Sequence, residues 1–92
     1  MTIRWLDDAV YDLKSLRRYI MLENISAANK VTERILKAVD LLLEHPGMGR
    51  QGRIHNTREL VVPKTPYIIP YRVINKNIEI LRVFHSSMQW PD

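Results

Sequence analysis

RELVVPKTPYIIPYRVINKNIEILRVFHSSMQW, residues 58–90, is the stretch from which the fold can be read. RELVV (58–62), PYIIPYRVI (66–74) and IEILRVFHSSMQW (78–90) are rich in β-branched and aromatic residues and are separated by turn chemistry. Asn75-Lys76-Asn77 lies between the last two runs, so the spacing predicts a compact antiparallel meander. Pro70 interrupts the best of these strands. It has no N–H for the ladder, so either that direction is unpaired or a bulge lies there.

Upstream of the meander the pattern becomes helical. Thr2 to Trp5 reads as a short first strand. Asp7 or Asp8 is then placed to cap a helix that runs to about Met21 or Leu22, with Leu6, Val10, Leu13, Leu16 or Arg17, and Ile20 recurring on one face. Glu23-Asn24-Ile25 breaks this period. Ser26 can cap a second helix that carries Ala28, Val31, Ile35, Ala38, Val39, Leu42 and Leu43 toward the core, until His45-Pro46-Gly47 ends it. A turn of about three residues makes the helices antiparallel. The fold class is therefore α+β, a two-layer β-α-α-β-β-β arrangement in which an antiparallel-rich sheet is backed by a helical hairpin. Residues 45–56, HPGMGRQGRIHN, form the one long irregular stretch, either mobile or functional.

Ninety-two residues are expected to form a single domain spanning 1–92 with a modest core. The chain has no cysteine, which removes disulfides, thiolate metal sites and a thiol nucleophile and fits a reducing cytoplasm. Its first residues carry acids where a signal peptide needs an apolar run, and no segment approaches the ~18 apolar residues of a membrane span. The expectation is a soluble cytoplasmic protein with no membrane association.

Fourteen Lys and Arg against ten Asp and Glu give a formal charge of +4, and nine of the fourteen cations are arginine, suited to planar contacts with phosphate or carboxylate. Seven of these cations, Arg50, Arg53, Arg58, Lys64, Arg72, Lys76 and Arg82, fall between residues 50 and 82, with only Glu59 and Glu79 among them. The basic surface is expected on the sheet half, where Arg50, Arg53, Arg58 and Lys64 form either a surface for nucleic acid or an acidic protein segment, or a solubilising rim. His85 is suited to acid–base work, with Arg82 nearby for a phosphate, or else it closes the sheet by bonding a neighbouring backbone group. Trp90 either anchors the tail or is a docking residue. His45 and His55 lack metal-ligand spacing, and no phosphate-cradling glycine motif or Ser-His-Asp order is visible.

Ordered short motifs now combine: W-x-x-x-A-x-x-D-L (Trp5, Ala9, Asp12, Leu13), Tyr19-Ile20, Asn24-Ile25-Ser26-Ala27-Ala28, H-P-G-M-G-R, R-E-L-V, P-Y-I-I-P-Y-R-V, I-E-I-L-R-V-F-H and a closing Q-W-P. Together they resemble the RelE/ParE superfamily, toxins of bacterial type II toxin–antitoxin modules, over essentially the whole chain. The resemblance implies growth inhibition, a role in plasmid stabilisation and a cognate antitoxin that folds on binding to give a hetero-oligomer. It implies no metal and no cofactor.

The superfamily contains two mechanisms. RelE-like members cleave mRNA on the ribosome and carry an arginine in a strand motif resembling R-L-V-Y. Here the matching segment is Ile68-Ile69-Pro70-Tyr71, so Ile68 stands in the place of that arginine, a loss of about 2–4 kcal/mol of transition-state stabilisation if typical of such contacts. ParE-like members poison DNA gyrase, and Y-I-I-x-Y-R-V with F-H and a closing aromatic-Pro resembles that branch more closely. No catalytic residue is then expected, and antitoxin or target contacts are assigned to Arg50, Arg53, Arg58, Lys64, Arg72, Arg82 and Trp90. On the alternative nuclease reading the catalytic set is His85, Arg82, Arg50 and Arg53.

Overall fold

The computed structural model describes residues 1–91. Strand β1 (Thr2–Trp5) leads into helix α1 (Asp7–Met21) and helix α2 (Ile25–Asp40), which tightens into a 3₁₀ turn at Leu41–Leu43. Five strands follow: β2 (Arg50–Gln51), β3 (Arg58–Val61), β4 (Tyr67–Ile74), β5 (Asn77–Ile80) and β6 (Phe84–His85). The sheet runs β1-β5-β4-β3-β2, with β6 also paired to β4. The β3-β4-β5 meander is antiparallel as expected, whereas β1 joins β5 in parallel at the edge. Relative to the expected β-α-α-β-β-β order, β2 and β6 are two additional short strands.

The helical hairpin covers one face. Ala9, Leu16, Ile35, Val39 and Leu42 pack on alternate strand residues, Leu60, Ile69, Tyr71, Ile78 and Ile80, as the period-2 pattern requires. The intervening residues Glu59, Ile68, Pro70, Arg72 and Glu79 therefore lie on the opposite face, open in that no helix covers it, although Glu59, Ile68 and Pro70 are buried there.

Both expected helix caps are replaced by others. Leu6 occupies the first cap position without a side-chain bond, and Asp7 and Asp8 lie inside the first turn, where they oppose the helix dipole. Asn24, not Ser26, caps α2: its extended backbone turns Oδ1 onto the Ala27 N–H at 3.0 Å, leaving Ser26 within the helix. Leu43 does not face the core. The 3₁₀ turn changes the period to three residues, so Leu42 is buried while Leu41 and Leu43 are exposed.

IEILRVFH does follow one edge of β4, but with a break. Tyr71 opposes Ile80 and Ile68 opposes Phe84, so three steps on β4 face four on its neighbour. This is a one-residue bulge over Leu81-Arg82-Val83. The Leu81 N–H bonds the Pro70 carbonyl at 2.9 Å. A regular pair would return a bond from the residue 70 N–H, which proline lacks, so the bulge lies where the ladder is already interrupted.

The β4–β5 turn uses two residues, Asn75 and Lys76, both at positive φ, and Asn77 already pairs with Ile74. That is the geometry whose twist matches a hairpin.

Candidate functional site

The open face is organised around Glu59. Its side chain is 1 % exposed, a costly place for a carboxylate unless every oxygen is bonded. Both are. Arg50 donates Nη2 to Oε1 at 3.1 Å, while the Arg53 backbone N–H bonds Oε2 at 3.0 Å with its guanidinium at 3.7 Å. Because Arg50 and Glu59 are also cross-strand partners, the carboxylate binds the loop to β3. The Arg53 guanidinium continues over the Phe84 ring, 5.6 Å from its centroid, and donates to the Trp90 carbonyl at 2.9 Å. Trp90 stacks on Phe84 at 5.5 Å, which makes it the anchor that holds the tail against the open face. A second charged group lies further along this face, where Arg72 donates to Glu79 at 2.7 Å and Arg4 approaches the other oxygen at 3.7 Å.

The glycine-rich loop is held at three points. The Tyr71 hydroxyl donates to the Pro46 carbonyl at 2.7 Å and accepts from the Gly49 N–H at 2.9 Å. Burial pushes the Tyr71 phenol above its usual range, offset in part by the Gly49 N–H and by Arg58. Arg58 clamps the carbonyls of Gly47 and Gly49 at 3.2 and 2.9 Å, and Glu59 holds Arg53. A Cβ on Gly49 would lie 2.6 Å from the Tyr71 ring, so residue 49 must be glycine for the phenol to reach in.

On the helix side, Asp12 of α1 accepts from Arg82 at 2.7 and 3.1 Å and from the Val83 N–H at 2.9 Å. The bulge turns that N–H out of the ladder, and Asp12 satisfies it. His85 lies edge-on to Tyr67, with ring centroids 5.6 Å apart, and its Nδ1 accepts from the Ser87 N–H at 3.1 Å. With Nδ1 used as an acceptor, the ring proton resides on Nε2. Burial raises the Tyr67 phenol beside it.

The structure therefore brings Arg50, Arg53 and Trp90 together on the open face and gives Arg72 a separate acid there. Arg58 is committed to backbone carbonyls. Arg82 binds α1, and Lys64 sits in the β3–β4 turn at positive φ, its carbonyl accepting from Arg34 at 3.4 Å. Arg50, Arg53 and Arg72 remain about half exposed, so each can contact a partner while holding its carboxylate. Among the described residues no three His, Asp or Glu gather to hold a metal ion, and no helix is long and apolar enough to cross a membrane.

Sequence reasoning assigned no role to Asp12 or to the Tyr71 hydroxyl. The signal for Asp12 was an acid one turn from both Ala9 and Leu16 on the apolar face of a helix, which calls for a buried partner.

The chain matches the model for the "ParE toxin of type II toxin-antitoxin system, parDE" over residues 3–90. It is 49 % identical over 89 residues to "Putative toxin Y4kP" of Sinorhizobium fredii, covering 97 % of this chain and 92 % of that protein. It is 36 % identical over 83 residues to "Toxin RelE2" of Caulobacter vibrioides, covering 90 % and 92 % of the two chains. "Toxin RelE3" of the same organism is 35 % identical over 77 residues, with 82 % and 83 % covered. Among solved structures, a chain of "Chromosomal ParDE TA system from P. aeruginosa" superposes with a TM-score of 0.82 at 30 % identity, covering 92 % of this chain and 95 % of that one.

Proposed function

The chain belongs to the ParE toxin family of type II toxin–antitoxin systems, and from that premise we propose that it arrests growth by poisoning DNA gyrase and is neutralised by a cognate antitoxin. It acts in the cytoplasm, by protein–protein contact, and needs neither metal nor cofactor. One observation carries the preference for gyrase: the groups a nuclease of this superfamily would use are split between two faces, and Arg82, the cation that lines the same groove as His85, is already held by Asp12. Arg50 and Arg53 converge on Glu59 on the open face. Arg82 binds Asp12 of α1, and His85 packs on Tyr67 on the helix side. An acid–base group and a cation acting on one phosphate must both reach within about 3 Å of it. Ile68, at the position where the resemblance implies an arginine, is buried opposite Phe84.

A second reading, ribosome-dependent mRNA cleavage, is favoured by the relatives named as RelE toxins. The two are separated by assaying one purified preparation for gyrase supercoiling and for mRNA cleavage on programmed ribosomes, with His85→Ala alongside. The gyrase reading expects loss of supercoiling with cleaved DNA complexes accumulating, unchanged in His85→Ala. Codon-positioned cuts in mRNA that vanish in His85→Ala would overturn it.

A further inference from the structure

Helix α2 turns one stripe of side chains to solvent. Lys30, Arg34, Lys37 and Leu41 recur at helical spacing and all are exposed. Where α2 passes into the 3₁₀ turn, this stripe meets the β3–β4 turn, and Arg34, Lys37, Ala38, Leu41, Pro63 and Lys64 line a pit of about 220 Å³. Ala38 is too small to fill the space between its neighbours. The walls are therefore a leucine, a proline ring and the aliphatic stems of the cations, whose charged heads stay at the rim.

The turn that closes the pit is held by its own bonds. Thr65 donates its hydroxyl and its N–H to the Val62 carbonyl at 3.0 and 3.3 Å, and its hydroxyl accepts from the Tyr67 N–H at 3.1 Å. Arg34 Nη1 donates to the Lys64 carbonyl at 3.4 Å, which ties the turn to the helix. The charge around the pit is one-sided. Glu33 is the only acid between residues 25 and 39, and Lys37 takes it at 2.7 Å. Lys30, Arg34 and Lys64 enter no ion pair among the described residues. Unlike Arg50, Arg53 and Arg72 on the open face, they can meet a carboxylate without sharing one they already hold.

We infer that this pit is where the toxin docks on gyrase, taking one apolar side chain flanked by carboxylates on a preformed surface of that target. Leu41, which is 49 % exposed, and Pro63 strip water from the inserted side chain, while the flanking carboxylates face Lys30, Arg34 and Lys64. The size of the pit favours a folded partner. A segment that folds on binding wraps a large surface, whereas two folded surfaces meet through a few anchors seated in pockets. The inference rests on the gyrase reading proposed above and adds to it the face of contact and the chemistry that face recognises.

The test measures binding of the whole toxin to purified DNA gyrase with DNA and ATP present, for the wild type and for Leu41→Glu, Lys37→Glu and Tyr11→Glu. The same four proteins are titrated with the product of the reading frame adjoining the toxin gene. All three positions are exposed, so the variants should keep the wild-type unfolding midpoint to within a few degrees. Leu41→Glu is expected to weaken gyrase binding about 30-fold or more, because it places a charge in the desolvated pit. Lys37→Glu is expected to weaken it about tenfold and to reduce its salt dependence. Tyr11→Glu, on α1, should change it less than about threefold. Wild-type affinity for gyrase in Leu41→Glu overturns the pit and leaves the gyrase reading intact. Loss of antitoxin binding in place of gyrase binding, in Leu41→Glu and Lys37→Glu, overturns the assignment of the pit to the target. A wild-type toxin that binds its antitoxin but not gyrase overturns the gyrase reading and this inference together.

Discussion

Tyr71 joins the core to the loop with a single hydroxyl. Its ring is buried under the hairpin while its oxygen bonds Pro46 and Gly49. Tyr71→Phe keeps the ring but leaves a carbonyl and an N–H unbonded, and should destabilise by about 1–3 kcal/mol in denaturant titrations at pH 7. The pH dependence has a definite sign. Tyr67 and Tyr71 both ionise at a higher pH when folded, chiefly because burial disfavours the phenolate. Their contribution is thus fully present below the unfolded value of about 10 and is lost as pH rises through the folded values. Stability measured from pH 9 to 11 should fall, and more shallowly in Tyr71→Phe. An equal slope in the two proteins would remove Tyr71 as a source.

The bulge between β5 and β6 allows one edge of β4 to serve two segments, and α1 stabilises it through Asp12. Asp12→Ala removes the acceptor of the Val83 N–H and the carboxylate that Arg82 bonds. Because Arg82 is about a third exposed, the expected cost is about 1–3 kcal/mol, below that of a fully buried pair. Exchange of the Val83 amide should accelerate more than that of β3 amides, since the damage begins at the bulge. Uniform acceleration would mean that Asp12 supports the whole fold. The opposite edge is arranged differently, with Glu59 and two arginines fastening the two-residue β2 and the loop around it.

Across the whole molecule the positive charge is distributed less simply than the chain order implies. Of the seven cations between residues 50 and 82, Arg50, Arg53, Arg72 and Arg82 sit in ion pairs. Net attraction for an acidic partner then draws on cations such as Lys14, Arg18, Lys30 and Lys64, which enter no ion pair among the described residues. Antitoxin association should slow as salt rises while dissociation changes little, because steering acts on encounter. An association rate indifferent to salt would remove this long-range term. Apolar periodicity determined the helical hairpin and, Leu43 apart, the inward face of its second helix, while β-branched and aromatic content bounded by turn residues determined the meander strands. Turn residues marked the β4–β5 reversal, and Pro70 announced an irregularity in the ladder. The parallel β1–β5 pairing, the Asp12–Val83 bond and the Tyr71–Gly49 contact were not legible, because each joins residues far apart in the chain whose meeting depends on how the layers pack. The same holds for the separation of Arg82 and His85 from Arg50 and Arg53: sequence reports which charges are present, and only packing decides which face each one occupies and which carboxylate it meets.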